Sequence, residues 1–151
     1  MRTRIWVAAI ALAGTALAAT PAAGVTEMVI KVGNDQFAAV DTGPPGLSVG
    51  DSYVYSDTLS RDGRVVGDDG GTCQVTHVTG TTATTNCVLS LRLPEGQITA
   101  QALWVRGTTP LRMAITGGTG RYRDASGELV ATDIQTPDET YLITLFNGRH
   151  G

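Results

Sequence analysis

The chain alternates short apolar-rich segments with turn residues, and almost nothing after residue 23 has the 3.6-residue period of a helix. Segments rich in Val, Thr, Leu and Ile recur between Gly, Pro, Asn and Asp at spacings of roughly 8 to 15 residues, which is typical of an all-β domain. The pattern predicts strands over 27–32, 36–41, 51–60, 72–78, 82–93, 97–105, 111–116, 128–134 and 140–146.

The connections between these segments are short, so successive strands can pair with their neighbours as a meander. Eight or nine strands in this order close readily into a barrel, which removes exposed sheet edges. We therefore predict a single all-β domain over residues 24–151: a small, closed, antiparallel, eight-stranded up-and-down barrel. Such a barrel holds either packed side chains or one small ligand.

Side-chain alternation indicates which residues face the inside of this barrel. One face of 51–60 is bulky and the other is small, so we expect the bulky face to point inward and to place a carboxylate beside two phenols. In 97–105 the inward set combines small alanines with a tryptophan, which leaves space. The predicted inward residues of these two segments are Tyr53, Tyr55, Asp57, Leu59, Ile98, Ala100, Ala102 and Trp104.

The two cysteines lie in neighbouring predicted strands. If Gly80 is the midpoint of the turn between them, Cys73 falls directly opposite Cys87. A disulfide there would close a loop of about 15 residues, worth ~3 kcal/mol by the chain-entropy relation. Two free thiols are the alternative.

The N-terminus predicts an export signal. Arg2 and Arg4 precede an apolar run over 5–17, which is shorter than a membrane-spanning helix. Small residues offer cleavage after Ala18 or Ala23, so residues 1–23 are interpreted as a signal peptide. We expect a secreted protein with no membrane attachment after cleavage, and a retained anchor is the alternative.

Composition and motifs argue against several other classes of function. The net charge is −3 and no basic stripe is present, so a nucleic-acid partner is not expected. The two histidines, His77 and His150, are far apart and give no metal-ligand spacing. The glycine-rich run 117–120 lacks the Lys-Ser/Thr ending of a phosphate loop, which favours a turn instead.

One segment resembles a known pattern. Residues 114–122, Ala-Ile-Thr-Gly-Gly-Thr-Gly-Arg-Tyr, are similar to the strand and glycine motif shared by allene oxide cyclases and dirigent proteins. The likeness extends over roughly 47–147 and includes 49–51 and 55–59. It implies an eight-stranded barrel that handles hydrophobic, reactive molecules without a metal or organic cofactor. Members of both families are trimers, which raises a homotrimer here, although no patch in the sequence demands one.

The resemblance also frames the candidate site. Cys73 stands where the cyclases have a pocket cysteine, Trp104 where they have a tyrosine, and Asp57 where they have an amide residue. We predict Asp57 as an acid or base, because burial would raise its pKa. The alternative is that Asp57 only anchors structure by pairing with Arg112 or a tyrosine hydroxyl. The predicted ligand-binding residues are Tyr53, Tyr55, Trp104, Arg112 and Met113.

Two functions from different classes stay open at this point. The first is a cofactor-free cyclase or isomerase acting on a small hydrophobic molecule in the lumen, with Asp57 as its proton-transfer group. The second is a non-catalytic barrel that carries a hydrophobic ligand or serves as a structural or interaction module. A lumen fully filled by side chains would favour the structural module.

Overall fold

The computed structural model describes residues 24–147, which form eight strands and one short turn of 3-10 helix. Each strand pairs antiparallel with its neighbours in sequence, and β1 pairs with β8, so the sheet closes into the predicted up-and-down barrel. The strands are β1 Gly24–Val40, β2 Ser52–Arg61, β3 Arg64–Thr79, β4 Thr82–Leu93, β5 Gly96–Val105, β6 Leu111–Gly118, β7 Gly127–Thr132 and β8 Thr140–Asn147. The 3-10 turn, Gly120–Tyr122, lies between β6 and β7.

The first two predicted strands are one strand. The Gly33-Asn34-Asp35 segment has the composition of a turn, which is why the sequence pattern separated 27–32 from 36–41. In the structure the segment instead carries a bulge between Asn34 and Gln36. The continuous β1 pairs with β8 along its first half and with β2 along its second half, so one strand closes the barrel. The predicted signal peptide and His150 lie outside the described residues.

The cysteine hairpin has the predicted register for an additional reason. Its turn residues are Gly80 and Thr81, with Thr79 paired to Thr82. A bulge between Val75 and His77 then shifts the pairing by one residue, which places Cys73 opposite Cys87. The two cysteines form a disulfide, as predicted.

Alternation along the strands fills the barrel interior. The predicted inward faces of β2 and β5 do point inside, and His77 is exposed. Five large side chains with no solvent exposure pack together, and we call them the packed half of the lumen: Leu59, Leu91, Ile98, Leu129 and Ile143. Within residues 24–147 no helix is long and apolar enough to cross a membrane.

Candidate functional site

The other half of the lumen is a cavity of about 350 Å3. It lies towards the end of the barrel where β1 ends and β2 begins, and residues from all eight strands line it. One part of its wall is apolar: Cys73, Leu89, Leu111, Met113 and Ala131. The barrel is therefore not plugged along its whole length, and this cavity, here called the lumen cavity, has room for a small molecule.

Three buried carboxyl groups stand on one side of the lumen cavity, and we call Asp57, Asp69 and Glu139 the carboxyl cluster. Each is at most 6% exposed. Asp57 and Glu139 line the cavity directly. Asp69 faces Asp57 across the β2–β3 register. Three acids converge because alternation on two adjacent strands points both aspartates inward, while the β7–β8 loop ends at Glu139.

Two members of the carboxyl cluster, Glu139 and Asp57, accept hydrogen bonds, and none of the three forms an ion pair among the described residues. The Oε2 atom of Glu139 accepts bonds from Asn34 Nδ2 at 2.8 Å and from the Gln135 backbone N–H at 2.7 Å. The Oδ1 atom of Asp57 accepts a longer bond, 3.3 Å, from the Asp35 backbone N–H. Within residues 24–147 no cation pairs with any member of the cluster. The negative charge of the cluster can therefore be neutralised by protonation or by a bound cation.

Burial and mutual repulsion favour protonation of these acids. Burial raises the pKa of Asp57 and of Glu139. The pKa of Asp69 rises to about 7, first because it is buried, then because the charges of Asp57 and Glu139 lie close to it. A carboxyl that titrates near neutral pH can both give and take a proton, which is the property a general acid or base requires.

Asp69 is also the least satisfied of the three. Neither of its carboxylate oxygens has a hydrogen-bond partner among residues 24–147. The nearby Tyr141 hydroxyl lowers the pKa of Asp69 and so offsets part of the rise that burial causes. A buried carboxylate without a partner is costly, so this environment favours the neutral acid.

Two tyrosines, Tyr141 buried and Tyr55 partly buried, border the carboxyl cluster. Burial and the neighbouring carboxylates raise the pKa of Tyr55 and of Tyr141. Both therefore keep their hydroxyl protons and act as hydrogen-bond donors. The Tyr55 ring occupies the space above Gly71 on β3, where a Cβ atom would overlap the ring. Glycine at this position is what lets the phenol lie along the wall.

Aromatic side chains and one guanidinium surround the opening of the lumen cavity, and we call Phe37, Tyr53, Trp104 and Arg106 the rim. The Phe37 and Tyr53 rings stack with centroids 6.2 Å apart and planes 17° apart. The Arg106 guanidinium lies over the Tyr53 ring at 4.1 Å. Trp104 is fixed by a bond from its Nε1 to the Thr108 carbonyl at 3.0 Å. The rim offers flat surfaces suited to a planar ligand.

The structure brings five of the predicted site residues together in the lumen cavity and excludes a sixth. The five are Asp57, Tyr53, Tyr55, Trp104 and Met113. Arg112 lies outside, because it alternates with the inward Leu111 and Met113 on β6, and it pairs with Glu128 at 3.1 Å. It therefore neither lines the cavity nor pairs with Asp57. Which of the five bind or react with a ligand stays a prediction.

Sequence reasoning missed five residues of the site: Phe37, Asp69, Arg106, Glu139 and Tyr141. Asp69 carried a usable signal, because it alternates with Gly71 and Cys73 on the strand that pairs with β2. Tyr141 alternates with Ile143 and Leu145 in β8. Arg106 and Glu139 stand at the ends of loops, where alternation gives no orientation.

The chain is similar in sequence to one protein family and to a solved structure. A family model described as "Allene oxide cyclase barrel like domain" matches residues 26–145. A solved structure named "Pyocyanin demethylase" is 46% identical, covers 80% of this chain and 99% of its own, and superimposes with a TM-score of 0.75. Comparison with curated proteins gives no significant match.

More distant structures share the barrel. The Diels-Alderase AbmU from Streptomyces koyangensis is 19% identical, with a TM-score of 0.66 over 88% of this chain and 73% of its own. The pterocarpan synthase dirigent protein PsPTS1 is 18% identical, with a TM-score of 0.61 over 82% of this chain and 95% of its own. At this identity the likeness bears on the fold alone.

Proposed function

The chain belongs to the allene oxide cyclase-like barrel family, and we propose that it is an enzyme that removes the N-methyl group from a planar heteroaromatic molecule bound in the lumen cavity. The observation that carries the proposal is the carboxyl cluster, buried and without cations among the described residues, beside aromatic and apolar walls. The 46% identity to a pyocyanin demethylase supports it, because pyocyanin is an N-methylated phenazine.

The cavity suits the charge and shape of such a substrate. An N-methylated aromatic nitrogen carries positive charge, which favours the ionised form of a carboxyl group beside it and attracts that carboxylate where water screens little. Flat rings stack on the aromatic rim, and aromatic faces also stabilise a cation. Asp57, which lines the cavity, would deliver a proton to the ring, and Asp69 behind it would restore that proton.

The proposed reaction balances without a further oxidant. Release of the methyl group as formaldehyde removes two electrons from its carbon, and the phenazine ring system accepts both. Water supplies the aldehyde oxygen: one methyl C–H bond and the N–methyl bond break while a C–O bond forms. An N-methylphenazinium cation and water thus give formaldehyde, a dihydrophenazine carrying hydrogen on nitrogen, and one proton. The protein's part is to hold the ring, polarise it by proton donation and limit solvent access.

Turnover of pyocyanin by the purified protein tests the proposal. We expect loss of the substrate absorbance together with one equivalent of formaldehyde, without added cofactor and without oxygen. Asp57→Asn should lower kcat by about a hundredfold or more, the usual contribution of a general acid. Arg112→Gln, a change of charge outside the barrel, is the control. No formaldehyde from the wild-type protein, or full turnover by a folded Asp57→Asn variant, would contradict the proposal.

A ligand carrier is the second candidate, and the apolar part of the cavity wall favours it. A carrier would bind the same planar compounds without changing them, and Asp57→Asn would alter its affinity only. A third alternative is cofactor-free cyclisation or isomerisation, in which the cavity would hold a hydrophobic substrate in the conformation that reacts. Liquid chromatography coupled to mass spectrometry separates the three outcomes. Demethylation changes the mass of the recovered ligand, cyclisation or isomerisation changes its retention time at unchanged mass, and a carrier returns it unchanged.

The site of action is a separate proposal. The signal peptide predicted over 1–23 supports secretion, where a disulfide such as Cys73–Cys87 persists. Protein recovered from culture medium should begin at Ala19 or Gly24. Full-length chain confined to the cells would contradict secretion and would leave the proposed reaction untouched.

A further inference from the structure

Charge is distributed unevenly around the lumen cavity. Its lining includes the carboxylates of Asp35, Asp57 and Glu139, and Arg106 is the one cation among the described lining residues. The acids belong to β1, β2 and the β7–β8 loop, whereas Arg106 directly follows β5. A ligand in this cavity therefore meets negative charge at one side and a guanidinium at the rim.

The Arg106 guanidinium is not neutralised by the protein. Among residues 24–147 it forms no ion pair, whereas Arg61, Arg92, Arg112 and Arg123 each have a carboxylate partner. One face of the group is covered by the Tyr53 ring at 4.1 Å. Stacking leaves the N–H edge of a guanidinium free, and that edge is the part that binds a carboxylate with two parallel hydrogen bonds.

The backbone fixes where Arg106 stands relative to the acids. Its N–H donates to the Ala83 carbonyl at 2.9 Å, which anchors the start of the β5–β6 loop against the cysteine hairpin. From there the side chain reaches Tyr53 on β2. Tyr53 and Asp57 are four residues apart on that strand, or roughly 13 Å at about 3.3 Å per residue. A polar contact of about 3 Å at each end leaves about 7 Å of this span, which is comparable with the separation between an N-methyl group and a carboxylate on opposite edges of a three-ring aromatic.

We infer that Arg106 is a specificity-determining residue, which selects planar cationic aromatics carrying a carboxylate or another oxyanion on the edge that faces the rim. The inference rests on the proposed function, since it assumes that the aromatic ring lies in the lumen cavity. It names a narrower substrate class: zwitterionic rings, with the N-methyl cation towards the carboxyl cluster and the anion at Arg106.

Two probes test this inference: the 5-methylphenazinium cation and its 1-carboxylate derivative. Their Kd values are measured by calorimetry with the wild-type protein. The carboxylate should improve affinity about tenfold or more, as expected for one charge-assisted pair, and added salt should reduce the gain. Arg106→Gln should bring the two Kd values to within about twofold of each other. Arg106→Lys, which keeps the charge but loses the planar fork, should show an intermediate preference.

The controls separate failure of this inference from failure of the proposed function. Arg112→Gln removes the same charge outside the barrel and should keep the full preference, and circular dichroism verifies that each variant folds. If wild-type protein demethylates the uncarboxylated probe but gains nothing from the carboxylate, only the role of Arg106 is overturned. Full preference in Arg106→Gln overturns it as well. If neither probe binds, both the role of Arg106 and the proposed function fail.

Discussion

The two halves of the lumen are built from the same strands by the same alternation, yet they differ in what they hold. In the packed half, large aliphatic side chains such as Leu91 and Ile98 meet and exclude all solvent. In the other half, a cavity remains that small residues such as Ala131 help to line, and carboxyl groups replace aliphatic ones. Burying carboxyl groups without cations destabilises the folded state. The apolar packing of the packed half must therefore offset this unfavourable free energy.

This contrast separates scaffold from chemistry within one short barrel. Close-packed interiors tolerate little change in volume, which makes the packed half a rigid base for the site. The cavity half keeps its shape through local devices instead. These include the hydrogen bonds to Glu139, the Trp104–Thr108 bond and the disulfide at Cys73. Variants of the two halves should therefore differ in kind: some should affect stability, others binding and turnover.

The largest effect on stability is expected in the packed half. Leu91→Ala should lower the free energy of unfolding by about 2–5 kcal/mol, because it leaves a void among buried neighbours. Leu111→Ala removes the same atoms from the wall of the lumen cavity, where the side chain already borders open space, and should cost clearly less. Urea denaturation measures both. Equal costs would show that the two halves are packed alike.

Reduction of the disulfide should come next in size. Breaking Cys73–Cys87 should lower the free energy of unfolding by about 3 kcal/mol through the entropy of the unfolded chain. The native wall should change little, because both residues remain paired across β3 and β4. Thermal unfolding with and without reductant measures the effect. An unchanged melting temperature, with two thiols already titratable before reduction, would contradict the disulfide.

Asp69 should make stability depend on pH in a direction opposite to that of a salt-bridged carboxylate. Its folded pKa of about 7 lies above the ordinary value of 3.8, so the folded state holds the proton more tightly. Its contribution to stability is complete below the ordinary pKa and is lost as pH rises towards about 7. Asp69→Asn should flatten this loss and stabilise the protein by on the order of 1 kcal/mol at about pH 8.

Melting temperatures across this pH window, for wild-type and Asp69→Asn proteins, measure the effect. Asp124→Asn removes an exposed carboxylate and serves as the control. A wild-type protein whose stability rises steadily between about pH 4 and 7 would contradict the buried, unpaired state of Asp69.

The smallest stability change, with a clear effect on binding, is expected at Gly71. Alanine there would collide with the Tyr55 ring and push the phenol off the cavity wall. We expect affinity for a planar ligand to fall by about tenfold, while the barrel still folds. Gly70→Ala is the matched control, since its Cβ would meet only the Tyr55 carbonyl oxygen at an ordinary 3.8 Å. Equal ligand affinity in the two variants would show that Tyr55 does not contribute to ligand binding.

Local pattern was sufficient to predict most of the fold. Alternation and short turns identified the closed barrel, the inward faces of β2 and β5 and the disulfide. The local pattern divided β1 into two predicted strands, because Gly33-Asn34-Asp35 has the composition of a turn. In the structure this segment is a bulge within one strand, because β1 pairs with both β8 and β2. Closure of the barrel depends on the pairing of the first and last strands, so a short stretch of sequence cannot reveal it.

The site was less predictable, because it depends on distant elements meeting. Asp57 was identified from its own strand, but its neighbours Asp69 and Glu139 come from another strand and from a loop. Arg112 was assigned to the site from its charge alone. Its place between two inward residues of β6 directs it outward to Glu128. Alternation predicts the orientation of strand residues, whereas loop residues such as Arg106 need the tertiary structure.

A crystal structure of the protein with a bound N-methylphenazinium compound tests the central claim most directly. Our account predicts the ring inside the lumen cavity, flanked by the Tyr53 and Trp104 side chains, with its N-methyl edge towards Asp57 and Glu139. A ring bound on the outer surface, or a lumen cavity that stays filled with water at saturating ligand, would contradict the claim that the carboxyl cluster acts on a molecule held inside the barrel.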